Sequence, residues 1–254
     1  MLDLVLRNAT VVDGTGAPAF AADVGVRGET IVAVGRVDEP ARRTVDCDGT
    51  VVCPGFVDLH THYDAQLLWD PHASPSSSHG VTTVLAGNCG FSIAPLRPGD
   101  ADYVKRMMAV VEGIPLRALE GGGEWDWTGF GEYLARLDGN VAVNTGFLVG
   151  HSTVRRMVMG EAATRAHATG EQLDEMVRVV ERSVVDGALG LSSSLGEGHV
   201  DGDGAPVPSR AASFDELVAL AGALRAHPGT TLEIIPTVGP IPEDRMTLMA
   251  DMSA

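Results

Sequence analysis

Val51-Val52-Cys53-Pro54-Gly55-Phe56-Val57-Asp58-Leu59-His60-Thr61-His62 is the stretch on which the fold turns. Val51 to Leu59 is a near-continuous apolar run, as expected of a strand buried on both faces in a parallel sheet. Residues two apart on a strand share a face, so Asp58, His60 and His62 point the same way at its C-terminal end. In parallel α/β folds that end carries the active site. Two imidazoles on one face, about 7 Å apart along a strand, can converge on one divalent metal. Taken as a bare pair, they can equally be solvated or core histidines.

Before this stretch the chain alternates with period two between Gly and Asp punctuation. Leu2 to Arg7, Val11-Val12, Asp23 to Arg27, Thr30 to Val34 and Thr44 to Cys47 read as short strands. After it, apolar runs alternate with helical stretches. The runs are Val81 to Ala86, Val141 to Val149, Ala188 to Leu191 and Leu232 to Val238. The helices carry start signals: Asp100 before Val104, Met107, Met108 and Val111; a capping box of Thr169 and Gln172; and another of Ser213 and Glu216. Phe130, Leu134 and Leu137 form a further apolar stripe. The expectation is a β-rich domain over residues 1–50 and an α/β domain over 51–254. About five parallel strands are too few for a closed eight-stranded barrel.

Composition narrows the partners. The 254 residues carry a formal charge of −16 and only 5% aromatics, which argues against nucleic acid and anionic membrane surfaces. Hydrophobic residues make up 44%, enough to build a core. The N-terminus has no basic region ahead of an apolar block, and no apolar run approaches the roughly 20 residues of a membrane span. Cys47, Cys53 and Cys89 are an odd number in a chain that reads without an export signal, so no disulfide framework is expected. A cytoplasmic protein with reduced thiols is expected, and Cys47 and Cys53 read as structural. The chain's one lysine, Lys105, sits in a helical stretch.

Three further positions could carry chemistry. Cys89 follows the Val81–Ala86 run, with Gly87 and Gly90 close by, so it sits at the same sheet edge as His60 and His62. It is either a thiolate ligand for zinc or a small buried hydrophobe. His151, just past another run, either orients substrate or caps the next helix. Ser192, in Ser192-Ser193-Ser194, either donates to a substrate carboxylate or belongs to an ordinary capping turn. His72, His79, His167, His199 and His227 lack partner spacing.

The strands before Val51, followed by Val-Cys-Pro-Gly-Phe-Val-Asp-Leu-His-Thr-His, resemble the amidohydrolase superfamily. The narrower resemblance is to its N-acyl-D-amino-acid deacylase (D-aminoacylase) branch. It rests on His79-Gly80-Val81-Thr82-Thr83-Val84, Gly87-Asn88-Cys89-Gly90, Val149-Gly150-His151-Ser152-Thr153-Val154-Arg155 and Gly187-Ala188-Leu189-Gly190-Leu191-Ser192. The resemblance implies a small β-sandwich beside a (β/α)8 barrel and a zinc-dependent hydrolysis of N-acyl-D-amino acids. It places one or two metal ions at His60, His62 and Cys89, with Cys89 in the place of the modified lysine used elsewhere in the superfamily. His60 and His62 would face the weaker metal position and Cys89 the tighter one.

The departures set further expectations. The branch's chains are roughly twice as long. The fifth run, Leu232 to Val238, lacks the histidine of the branch, and the general-base aspartate would lie beyond Ala254. The chain is therefore expected to be an N-terminal half: five strands of a barrel and part of a sandwich, inactive alone, prone to self-association or pairing with a missing C-terminal half. A cyclic amidase of the hydantoinase or dihydroorotase type is the alternative activity. A non-catalytic fragment or interaction partner is the alternative of another class.

Overall fold

The computed structural model describes residues Met1–Ala254. Two compact units follow one another along the chain, Met1–Phe56 and Val57–Ala254.

The first unit is one mixed sheet of β1 (Leu2–Val11), β2 (Phe20–Arg27), β3 (Thr30–Gly35), β4 (Ala41–Asp46) and β5 (Val51–Val52). The order is β3-β2-β1-β4, with β5 also pairing β1. β1 runs antiparallel to β2 and parallel to β4 and β5. The simple alternation of Leu2, Leu4 and Leu6 does not map onto burial. The β1–β2 register slips between Leu6 and Ala9, where Asn8 takes φ +59°. Asp23 accepts the Asn8 N–H, and Asp46 accepts from the Asn8 side chain. Leu2 and Val5, before the slip, bury with Val37, while Ala9 and Val11, beyond it, bury with Val24 and Cys47. Cys53, by contrast, is exposed and is not a core residue.

The Val51–Leu59 run is not one strand. Cys53, Pro54 and Gly55 interrupt it, consistent with a proline that has no N–H for a ladder. The chain re-enters a sheet as β6 (Phe56–Asp58). Nor is β6 buried on both faces: it lies at a sheet edge, and Phe56 and Val57 are exposed.

The second unit alternates strands and helices. β6, β7 (Val81–Ala86) and β8 (Asn144–Phe147) form one three-stranded sheet; β9 (Val149–Gly150), β10 (Gly190–Ser194) and β11 (Thr231–Ile235) form another. The pairs β7–β8, β9–β10 and β10–β11 are parallel. β8 and β9 are the two ends of a single predicted strand. The chain changes sheet at Leu148, whose N–H bonds Ala86 O while Leu189 N–H bonds Phe147 O. All five residues of β10 are buried.

The crossovers are helical, as a parallel sheet requires. They are α1 (Ala101–Val111), α2 (Leu116–Gly121) and α3 (Phe130–Leu137) after β7, α4 (His151–Met159) and α5 (Gly170–Val185) after β9, and α6 (Phe214–Gly222) after β10. α7 (Glu243–Ser253) follows β11. The apolar faces of α1 to α5, including Met107, Met108, Phe130, Tyr133, Met176 and Val180, pack with the strands into one core, while Leu217 and Ala221 of α6 pack with Leu248 and Met252 of α7 in a second cluster. No helix is long and apolar enough to cross a membrane.

The caps divide. At α5 the Thr169 and Gln172 side chains satisfy each other's backbone N–H groups. At α1 Asp100 occupies the cap position but makes no cap bond; its carboxylate goes to Arg97 and Arg156. At α6 only half of the box forms: Ser213 accepts the Glu216 N–H, while the Glu216 side chain turns inward.

Candidate metal centre

β6 stops at Asp58, and the next residues run alongside β7. Thr61 anchors them, with its N–H and its hydroxyl both donating to Leu85 O at 2.9 Å. His60 and His62 flank Thr61, and their rings meet edge to face with centroids 5.4 Å apart. Asp58 does not join them as a third ligand-type side chain; its carboxylate accepts the His60 N–H at 3.3 Å.

Cys89 arrives from the far end of β7 on a tight turn. Gly87, Cys89 and Gly90 all have left-handed φ, at +77°, +57° and +77°. A Cβ on Gly87 would lie 2.0 Å from Leu148 O, so only glycine fits where the turn crosses the next strand. The Asn88 amide ties the turn to Thr61 O and Leu85 O at 3.1 and 3.0 Å.

The turn brings Cys89 Sγ to 3.2 Å from His60 Nε2 and 3.7 Å from His62 Nε2. The three ligand-type atoms lie within 4.8 Å of one another. A tetrahedral zinc ion with ordinary Zn–N and Zn–S bonds separates such atoms by about 3.5 Å. Two imidazoles and a thiol also form a donor set of the softness that zinc prefers.

The surroundings are acidic. Glu112, the residue after α1, places Oε2 3.2 Å from His62 Nε2. Glu233, on β11, accepts the Cys89 N–H at 2.7 Å. Asp64 is buried and accepts the Gly87 N–H. Burial, then the charges of Glu233, Glu112 and Asp64, push the Cys89 thiol up to about 12. Burial lifts Glu112 to about 7, and the Asp64 charge adds to it. Burial likewise lifts Asp64 to about 7. Burial lowers His62 to about 4, helped by the charges of His60 and His199. The buried Nδ1 of His62 has no hydrogen-bond partner. These groups resist charging one by one, and a bound divalent cation would reverse that balance for the thiol and the carboxylates. The residues present therefore fit a metal.

His151 and Ser192 lie elsewhere than a substrate surface. Both are fully buried. His151 opens α4 and is held between Ser193 Oγ at 2.9 Å on Nδ1 and Glu216 Oε1 at 2.7 Å on Nε2. Glu216 also pairs with the buried guanidinium of Arg155. Burial holds His151 below the usual imidazole range, so we assign it as neutral, with Nε2–H donating to Glu216 and Nδ1 accepting the Ser193 O–H. The Ser192 hydroxyl donates to Gly87 O and accepts the Gly90 N–H.

Comparison with known proteins follows the same residues. The profile of the amidohydrolase family matches residues 43–249. The chain belongs to the amidohydrolase family. A D-aminoacylase of Alcaligenes xylosoxydans xylosoxydans is 38% identical over 230 residues, covering 89% of this chain and 43% of that protein. A D-aminoacylase crystal structure, described as defining a novel subset of amidohydrolases, matches with a TM-score of 0.76 at 35% identity, over 99% of this chain and 48% of that one. The N-acyl-D-glutamate deacylase of Bordetella bronchiseptica, crystallised with zinc and a phosphonate mimic of the tetrahedral intermediate, gives a TM-score of 0.74 at 30% identity. That match covers 92% of this chain and 44% of that one. This amidohydrolase chain thus spans about half the length of the relatives it matches.

Sequence reasoning passed over Glu112, Asp64, Glu233 and the Arg155–Glu216 pair. Glu233 carried a signal as a lone charge inside the apolar run Leu232 to Val238, and Asp64 as the next step in the two-residue spacing of His60 and His62. His199, which had no partner spacing, stacks edge-on against Phe91 and hydrogen-bonds Ser194 Oγ.

Proposed function

We propose that these residues belong to a zinc-dependent amide hydrolase that releases D-amino acids from N-acyl-D-amino acids. The observation that carries the reading is the convergence of His60, His62 and Cys89 in a chain 38% identical to a D-aminoacylase. His60, His62 and Cys89 would hold the metal. When bound, it supplies Lewis acidity, polarising an acyl carbonyl and easing deprotonation of water. Cys89 would bind as the thiolate, so its proton must leave on loading, and metal affinity should rise with pH. Glu233 keeps the Cys89 backbone N–H occupied, and Glu112 faces His62 from the side of α1. On this reading residues 1–50 contribute to a small β-sandwich domain. Residues 51–254 contribute five strand positions to a (β/α)8 barrel.

Two measurements test it. Elemental analysis should find zinc in the wild-type chain and a clear loss in Cys89→Ala; unchanged zinc in the variant would remove Cys89 from the site. In a protein carrying these residues at the full length of the relatives, hydrolysis of N-acetyl-D-methionine should exceed that of its L enantiomer, and equal turnover of the two would defeat the stereochemical part.

A further inference from the structure

The turn that carries Cys89 is braced by a residue 103 positions later in the chain. A left-handed φ is routine for Gly87 and Gly90 but strained for Cys89, because its Cβ crowds the carbonyl. Such a residue persists only where its surroundings over-determine it. Ser192, at the centre of β10, supplies much of that determination. Its hydroxyl donates to Gly87 O and accepts from Gly90 N–H at 2.9 Å, gripping the turn on both sides of Cys89. Gly90 packs directly on β10, where a Cβ would sit 3.0 Å from Ser193 Cα. Ser192 is fully buried, so its hydroxyl serves the turn and not a ligand.

We propose that Ser192 is a positioning residue for the metal ligand Cys89: its hydroxyl locks the left-handed turn that aims Sγ at His60 and His62. The proposal rests on the metal-site reading above. Removing the hydroxyl leaves the Gly87 C=O and the Gly90 N–H buried without that partner. Cys89 is then free to relax toward ordinary φ, carrying Sγ off the imidazoles. Partners that orient ligands in this way are worth about 10–100-fold in metal affinity. Ser193 provides a matched control. It is equally buried on the same strand, but its hydroxyl bonds His151 and makes no bond to the Cys89 turn.

The test is a cobalt(II) titration of the full chain, following the near-ultraviolet thiolate-to-cobalt charge-transfer band, with thermal melting alongside. Wild type should show the band and Cys89→Ala should lack it. Ser192→Ala should bind cobalt about 10–100-fold more weakly, with a shifted or diminished band. Ser193→Ala should keep near wild-type affinity and band even where its melting temperature falls as far. Ser192→Thr, which retains the hydroxyl, should recover the wild-type spectrum. If Ser192→Ala does not fold, Ser192→Thr decides: a wild-type band supports the proposal and its loss overturns it. Wild-type affinity and spectrum in Ser192→Ala overturn the proposal, as do equal metal losses in both serine-to-alanine variants. Absence of the band in wild type is a different failure, since it removes the metal site itself and the role of Ser192 with it.

Discussion

Around Glu216 every charged group has found a partner. Its carboxylate takes the His151 N–H and the Arg155 guanidinium; Arg155 also donates to Ala163 O and Ala166 O, and Ser193 completes the imidazole. Burial opposes ionisation of Glu216, yet the bonds from His151 and Arg155 hold its carboxyl below the usual range. Around Cys89 the reverse holds. The thiol is pushed up, Asp64 and Glu112 are lifted, His62 is lowered, and His62 Nδ1 lacks a partner. Both clusters lie in the same α/β unit, and each sets a histidine against a glutamate. Buried charges that pair with one another add to the fold, whereas buried groups that resist charging and lack partners are those a bound cation would balance.

The largest effect should come from breaking the balanced cluster. Glu216→Ala leaves a fully buried guanidinium and an imidazole N–H without their acceptor. Removing one partner of a buried ion pair costs about 3–5 kcal/mol. Urea unfolding at pH 7 with a chelator present should show a loss of that order. A loss below about 1 kcal/mol would place this pair with surface salt bridges and erase the contrast between the clusters.

The unbalanced cluster should respond to pH. Asp64 has a folded-state pKa of about 7 against an ordinary 3.8, because burial disfavours its charge. Below about pH 4 it is protonated in both folded and unfolded chains and contributes no difference. Between about pH 4 and 7 the unfolded chain ionises first, so stability falls as pH rises. The full shift is worth up to about 4 kcal/mol, an upper bound because local relaxation reduces it. Asp64→Asn keeps an acceptor for the Gly87 N–H and removes the ionisation. In metal-free protein it should be more stable than wild type at pH 7 and flatter across that window. Parallel pH profiles for the two proteins would show that Asp64 meets no such burial penalty.

The unbalanced site was the more legible of the two. His60 and His62 stand out through their two-residue spacing at the end of the strand-like run, although the strand itself stops at Asp58, and Cys89 through its place between glycines after the next strand. Those signals are local. Glu112 reaches the same place only because α1 folds back on it, and no spacing encodes that; Asp64, by contrast, continues the two-residue spacing of His60 and His62. His151 and Ser192 follow strand ends and read as facing a pocket, yet the packing of β10 against α4, with Glu216 of α6 on His151, buries both. The two-sheet split at Leu148 was also invisible, since Phe147, Leu148 and Val149 read as one apolar strand end with no turn residue between them. Asp100 carries the signature of a cap, but its carboxylate pairs with the opposite charges of Arg97 and Arg156 instead of the helix N–H groups.

Two helix starts sharpen the lesson at the smallest scale. Thr169-x-x-Gln172 and Ser213-x-x-Glu216 are the same signal in sequence. In both, the first residue's hydroxyl accepts the N–H three residues on, at 3.3 and 3.2 Å. Thr169→Ala and Ser213→Ala should therefore each cost about 1 kcal/mol. The second residues differ. Gln172 returns its side chain to the Thr169 N–H, whereas Glu216 spends its own on His151 and Arg155. Gln172→Ala should then cost less than Thr169→Ala, because the exposed Thr169 N–H can turn to water. Glu216→Ala should cost several times more than Ser213→Ala. Thermal melts of the four single variants decide it: matched losses for Gln172→Ala and Glu216→Ala would mean that Glu216 acts as a helix cap after all.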